Sequence, residues 1–462
     1  MKASASVKLA ILGTVCLVLL AGCGGNTTAP QPQSNAVTVV VSPSSATVQA
    51  GGLQQFTATV TPSGTNPGVT WSVSGMGCAG ASCGTIDSSG KYTAPGTVPI
   101  PATVTVSATS IVNATNSGTA TVTIHIVLPT SVAVAPDPSG KFGKFAYATN
   151  TSGVSMYTIN STTGALTPIG TIAAGSEPNS IAVDPSGRFA YVTNLSPSDQ
   201  DGEVSMYTVN ATTGALTSIG TIAAEANPSS AAVDPSGKFV YVANQGNVLE
   251  ERSGLSMYTI NSTSGILTST GTIDDLLCDS VAVHPSGKFA YVVSTGDSSF
   301  SSTVLMYTIN AATGALTFIG SIAARSISSS IAVDPSGKFA YVANSDSNDI
   351  SMYTINPTTG ALTSTGTVAG GKLPESVAID PSGTFVYVAN ATSNDVSMYS
   401  IDIATGSLIS IGTIAAGSGP NSIAIDPSGK FAYVANTNSY DISMYTIDST
   451  TGALTLVGSL SR

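Results

Sequence analysis

The stretch Ser330-Ile331-Ala332-Val333-Asp334-Pro335-Ser336-Gly337-Lys338-Phe339-Ala340-Tyr341-Val342-Ala343-Asn344 decides the fold. It holds two strand-length apolar runs, rich in β-branched and aromatic residues. Between them, Asp334-Pro335-Ser336-Gly337 matches the preferences of a type I turn, with Asp first, Pro second and Gly fourth. The two runs therefore pair as a hairpin. Ser351-Met352-Tyr353-Thr354-Ile355 reads as a third strand and Asn356-Pro357-Thr358-Thr359-Gly360 as a tight turn. Ala361-Leu362-Thr363 then opens a fourth strand. Apolar side chains occupy both faces of the second and third strands, and one four-stranded unit cannot cover both. It needs neighbours.

Repetition supplies them. The Asp-Pro-Ser-Gly motif begins at Asp137, Asp184, Asp234, Asp334, Asp380 and Asp426, with His284 in the Asp slot of the fourth copy, at spacings of 46 to 50 residues. Phe-(Ala/Val)-Tyr follows at Phe145, Phe189, Phe239, Phe289, Phe339, Phe385 and Phe431. Met-Tyr recurs from Met156 to Met444, and a Gly-x-Leu step recurs from Gly164 to Gly452. Seven such copies predict a seven-bladed β-propeller, each blade covering the next. A fully buried large apolar side chain contributes about 1.5–3 kcal/mol, so several per copy drive the stacking. Nearly all of the 16 Tyr and nine Met lie in repeat slots, which marks them as packing. The repeated Asp residues, and His284 with them, read as turn formers rather than as a ring of ligands.

Tyr191-Val192-Thr193-Asn194, with the variants Tyr241-Val242-Ala243-Asn244, Tyr341-Val342-Ala343-Asn344, Tyr387-Val388-Ala389-Asn390 and Tyr433-Val434-Ala435-Asn436, resembles the tandem repeat of the seven-bladed lactonase-like β-propeller family. That family includes 6-phosphogluconolactonase-like proteins and archaeal surface-layer proteins. The resemblance spans residues 131–462. It implies the fold strongly and the activity weakly, because function resides in loops grafted on a fold.

Residues 37–127 carry shorter alternating strands, at Val37–Val39, Phe56–Val60, Val69–Val73, Val104–Val106 and Val122–Ile124, which predict an all-β sandwich. Trp71 is expected in its core. The run Gly84-Thr85-Ile86-Asp87-Ser88-Ser89-Gly90-Lys91-Tyr92-Thr93-Ala94-Pro95 resembles bacterial Ig-like domains of cell-surface proteins. Such domains act as spacers or adhesive modules.

Ahead of both, Lys2 and Lys8 precede the apolar run Leu9 to Gly22, which is too short for a span and reads as a signal peptide over residues 1–22. Leu20-Ala21-Gly22-Cys23 resembles the lipobox of bacterial lipoproteins, which implies cleavage before Cys23 and its lipidation. Residues 23–36 would then be a flexible tether. An exported, membrane-anchored lipoprotein is expected, at the outer membrane or cell surface, with a periplasmic side open. In an oxidising compartment Cys78 and Cys83 are expected to form a disulfide, and Cys278 reads as a buried thiol.

Charged residues make up only 8% of the 462, with a net charge of −11. That sign repels phosphate backbones, so nucleic-acid binding is excluded. An active site breaks repeat symmetry, and the connections on the rim shared by the fourth-to-first and second-to-third strand loops hold most of the charge. A lactonase needs a cation for the substrate and a base for water. Arg325 and Lys372 are the candidate cations; Glu225, Asp274 and Asp275 are the candidate bases. Asp346 and Asp349 have oxygen ligands at Ca²⁺-like spacing without a full calcium-loop pattern. No cofactor is implied. The reading favoured here is a monomeric, lipid-anchored envelope protein whose propeller binds or scaffolds an envelope protein or glycan; the alternative is a lactonase acting on a sugar lactone. The copies run from Ser131 to near Leu460, so the ring closes either by side-chain packing or by Thr123–Val127 joining the last blade.

Overall fold

The computed structural model describes residues 37–461 apart from 50, 62–67, 96–98, 100, 126–127, 138–139, 141, 196–200, 247–252, 275 and 296–300. The signal segment, Cys23 and the tether lie outside the described residues. From residue 131 onward, seven four-stranded antiparallel sheets follow one another, each built from four consecutive strands. They are blades 1 to 7, at residues 131–172, 178–223, 228–274, 278–326, 328–369, 374–415 and 420–461. The first strand of each blade is innermost and touches the first strands of the two adjacent blades, including blade 7 against blade 1. Second strands such as Phe339–Asn344 are buried along their whole length, whereas fourth strands such as Leu362–Ala369 are mostly exposed. The apolar double faces of the sequence thus become blade-to-blade cores.

One joint recurs around the ring. The second-strand Tyr donates its hydroxyl to the carbonyl of the Gly-x-Leu glycine in the next blade, as in Tyr147 to Gly214 (2.8 Å) and Tyr241 to Gly314 (2.9 Å). The preceding Phe lies against that glycine: a Cβ on Gly214, whose φ is +74°, would sit 2.3 Å from Phe145. Only glycine fits both the conformation and the approach. The following Leu N–H points at the Met sulfur of the blade before, as Leu216 does to Met156 Sδ (3.2 Å). The turn residues are structural, as the sequence predicts. Asp334 Oδ1 accepts the Lys338 and Phe339 amides at 2.7 and 2.6 Å, and Asp334 is 2% exposed. His284 does this differently. Its Nδ1 accepts the Ser286 amide (3.0 Å), so Nε2 carries the proton and donates to Gly337 O of blade 5 (2.9 Å).

Closure needs no borrowed strand. Ser117–His125 belongs to a sheet of the N-terminal domain, so the option of a 123–127 segment completing blade 7 is corrected for its described residues. Blade 7 meets blade 1 through the same joint as elsewhere: Tyr433 OH donates to Gly164 O (2.9 Å) and Leu166 N points at Met444 Sδ (3.2 Å). Asn421 Nδ2 also donates to Thr130 O (2.8 Å).

The N-terminal strands form a two-stranded sheet, a three-stranded sheet and the four-stranded sheet Ser45–Gln49, Ser117–His125, Thr103–Ser110, Val69–Ser74. Phe56, Tyr92, Val106 and Val122 are fully buried in its core, and Trp71 packs on that core partly buried. The parallel pairing of Ser45–Gln49 with Ser117–His125 is new relative to the sequence reading. Cys78 and Cys83 are joined in a disulfide.

A small irregularity tests how the copies compensate. In blades 2, 3, 6 and 7 a Pro faces the Asn that ends the second strand, and the Oδ1 of Asn194, Asn244, Asn390 and Asn436 accepts no hydrogen bond among the described residues. In blade 5 Ser328 replaces that Pro and donates to Asn344 Oδ1 at 2.7 Å. Ser328→Ala should lower stability by about 1–3 kcal/mol by leaving this buried acceptor unmet; denaturant unfolding measures it. Tyr433→Phe and Tyr241→Phe should each cost about 1 kcal/mol, and equally, because the closing joint is like the rest. A much larger loss at Tyr433 in the same titration would show that closure is special.

Candidate functional site

Each innermost strand carries a Ser at or near its start, preceded by a residue that varies between blades. The serines form a complete ring: Ser131, Ser180, Ser230, Ser280, Ser330, Ser376 and Ser422. Several accept a backbone N–H from the next blade, as Ser330 does from Val377 (3.2 Å), Ser376 from Ile423 (3.2 Å) and Ser422 from Val132 (3.2 Å). A hydroxyl that accepts in this way keeps its own hydrogen to donate. The ring therefore ties blades together and lines a cavity of about 580 Å³ at the mouth of the central channel.

The column before the serines breaks the symmetry. It reads Thr130, Asn179, Ser229, Asp279, Ser329, Glu375 and Asn421, so blades 4 and 6 place carboxylates in the cavity. Asp279 Oδ2 accepts the Thr295 amide (3.0 Å) and the Thr295 hydroxyl, and its Oδ1 accepts Gln245 Nε2 (3.0 Å). Burial raises its pKa, and these hydrogen bonds oppose the rise. Glu375 has no hydrogen-bond partner among the described residues. Burial, and then the charge of Asp279, holds its pKa above the ordinary carboxyl value. No Lys, Arg or His lines the cavity among the described residues.

The rim is strained. In five of the seven blades the residue ahead of the first strand has a positive φ, at Glu177, Asn227, Ile327, Leu373 and Gly419. Asn and Gly adopt that conformation readily, but a β-branched Ile or a Leu held there costs about 1–3 kcal/mol. The neighbouring loops hold it: Leu373 N donates to Asn348 Oδ1 (2.8 Å), and Ile327 O accepts the Ser345 amide (2.7 Å).

Of the charged candidates read from the sequence, the structure brings only Asp346 into the cavity lining, where it accepts Ser326 Oγ (2.7 Å). Arg325 Nε instead pairs with Asp349 Oδ2 at 3.1 Å, and its side chain is 56% exposed. Asp349 also accepts Asn344 Nδ2 (2.8 Å) and Ser347 Oγ (3.0 Å), so its oxygens are engaged by protein donors. Glu225 is half-buried outside the lining, and Lys372 and Asp274 are exposed, with Asp274 accepting Thr272 Oγ1 (2.7 Å). Asp275 lies outside the described residues. No group of three or more His, Cys, Asp or Glu is placed to hold a metal among the described residues. The shared rim is as expected, since both loop types contribute to the lining. Cys278 is a buried free thiol, its pKa pushed up to about 12 mainly by burial, and is unreactive on that account. The sequence reading passed over Asp279, Glu375 and the serine ring. Aligning the copies on the serine exposes them, because five of seven residues in the preceding column are uncharged.

Comparison with known proteins agrees with this architecture. The family model for lactonase, a 7-bladed beta-propeller, matches residues 142–275, 248–378 and 367–461, and that for a bacterial Ig-like domain (group 2) matches residues 36–105. A putative 6-phosphogluconolactonase of Bacteroides fragilis superposes with a TM-score of 0.59 at 20% identity, over 72% of this chain and 95% of the other. The periplasmic gluconolactonase of Pseudomonas aeruginosa gives 0.58 at 17%, over 73% and 96%. The hydrazine synthase of Kuenenia stuttgartiensis gives 0.54 at 20%, over 70% and 96%. At these identities the likeness is one of fold. A search of curated proteins finds no match to the chain.

The electrostatics of Glu375 make a prediction. Its folded pKa lies above its ordinary 4.5, so its contribution to stability is whole below that value and is lost as pH rises through the folded pKa. Glu375→Gln should therefore melt higher than the wild type at pH 8, with the difference fading near pH 4. Thermal melts across that range read the effect.

Proposed function

Because this chain belongs to the lactonase family of seven-bladed β-propellers, we propose that its propeller is the binding module of a lipid-anchored envelope protein, taking the uncharged, polyhydroxylated end of an envelope glycan at the channel mouth. One observation carries this reading: the cavity offers hydroxyls around a full circle, amides, and the three carboxylates of Asp279, Asp346 and Glu375, with no Lys, Arg or His among the described lining. Sugar hydroxyls both donate and accept, which suits serine and carboxylate partners. A phosphorylated or carboxylated substrate would instead face like charge with no cation to meet it. The volume falls within the range of small-ligand sites, about 300–1,000 Å³.

The N-terminal segment supports the address. Lys2, Lys8, the apolar run and Cys23 fit export and lipidation, and several acyl chains at about 0.8 kcal/mol per buried CH₂ hold a protein on a bilayer without a span. No helix among the described residues is long and apolar enough to cross one. The Ig-like domain would then be the spacer, and a monomer suffices.

The second reading is hydrolysis of a sugar lactone, with Glu375 as the base that activates water. It is favoured by the family and by the raised pKa of a carboxyl without a hydrogen-bond partner among the described residues. The full-length protein, expressed in a bacterial host and purified in detergent, decides between them. We expect binding on a glycan array and no turnover of a sugar-lactone panel. Turnover that Glu375→Gln abolishes would install the lactonase reading. Cys23→Ser should move the protein from the membrane to the soluble fraction; unchanged membrane partition would remove the lipid anchor from the account.

A further inference from the structure

We infer that the occupant of the channel mouth carries an apolar group beside its hydroxyls, seated on Ile327 and Leu373 where blades 5 and 6 meet; this rests on the glycan-binding reading above. Both residues line the cavity, and each is 37% exposed. Both are held at positive φ, +46° and +56°, in a slot that blade 7 fills with Gly419, blade 3 with Asn227 and blade 2 with Glu177, so among these five they alone set a large apolar side chain there. The fold accepts an unstrained residue there and works with one in two other copies. Residues held in sparsely populated backbone conformations cluster at active sites and ligand clamps. The loops hold the backbone of both residues, through Asn348 Oδ1 on the Leu373 amide and the Ser345 amide on the Ile327 carbonyl, so the strained conformation is fixed before any ligand arrives.

The surrounding chemistry fixes the ligand class. Asp346 and Glu375 line the cavity from these same two blades, with Ser329, Ser330 and Ser376 on the inner ring. Hydroxyl and carboxylate partners lie inward and an apolar step lies at the rim. A glycoside whose sugar enters the channel, and whose aglycone or lipid tail leaves over blades 5 and 6, satisfies both. A bare sugar leaves Ile327 and Leu373 facing water.

The test uses the full-length protein and matched methyl and hexyl glycosides of a panel of hexoses and pentoses, the hexyl series below its micelle concentration. Calorimetry should show the hexyl glycoside of the preferred sugar binding at least about tenfold tighter than the methyl one, roughly 1.4 kcal/mol. In the double variant Ile327→Asn, Leu373→Asn that ratio should fall towards one. The same variant should melt about 1–3 °C higher than the wild type, because Asn relieves the strained conformation. A wild-type ratio near one overturns the inference while leaving glycan binding intact, and so does a variant that keeps the tenfold preference. Binding of neither series by the wild type removes the glycan reading and this inference together.

Discussion

Every blade holds its neighbour by the same short-range event, a buried Tyr hydroxyl donating to a glycine carbonyl while a Phe ring packs against that glycine. The hydrogen bond contributes on the order of 1 kcal/mol net, and the surrounding apolar burial contributes more. Replacing either element carries a cost. A side chain on the glycine would overlap the ring, and a Tyr without its hydroxyl would leave a buried carbonyl unmet. Because the joint relates each blade to the next, seven copies suffice to bring the last back to the first, and the ring needs no shared strand.

That uniformity separates scaffold from site. Residues that repeat in every copy are consumed by joints and turns, which is why Tyr, Met and the turn Asp residues are buried and engaged. What varies without structural need stands out against them. The column ahead of the serine ring varies, and so does the positive-φ slot before it. Asp279 and Glu375 occupy the first, Ile327 and Leu373 the second, and all four meet at the same opening. The propeller is thus a rigid holder for an asymmetric mouth built from very few substitutions.

The sequence made the blades legible because turn chemistry and strand alternation act locally. Asp334-Pro335-Ser336-Gly337 folds as its residues demand, and Phe339–Asn344 has the bounds its pattern implies. The seven-blade count and the buried state of Cys278 also follow from sequence. The site was less legible. Charged rim residues such as Arg325 and Lys372 are conspicuous in a chain so poor in charge, yet one pairs with Asp349 and the other is exposed. Glu375 and Asp279 hide inside strands that otherwise look like packing, and only the closing of the ring turns those strand starts towards a common axis. Positive φ at Ile327 and Leu373 carries no local signal, since neither residue type announces it.

Native-state hydrogen exchange on the second strands, from Gly143–Asn150 in blade 1 to Phe431–Asn436 in blade 7, tests the uniform joint most directly. Equal joints make these amides exchange together, through global unfolding, with the same protection in all seven blades. Fast exchange confined to blades 1 and 7 would mean that the ring is held shut by something weaker than the joint described, and would contradict the account.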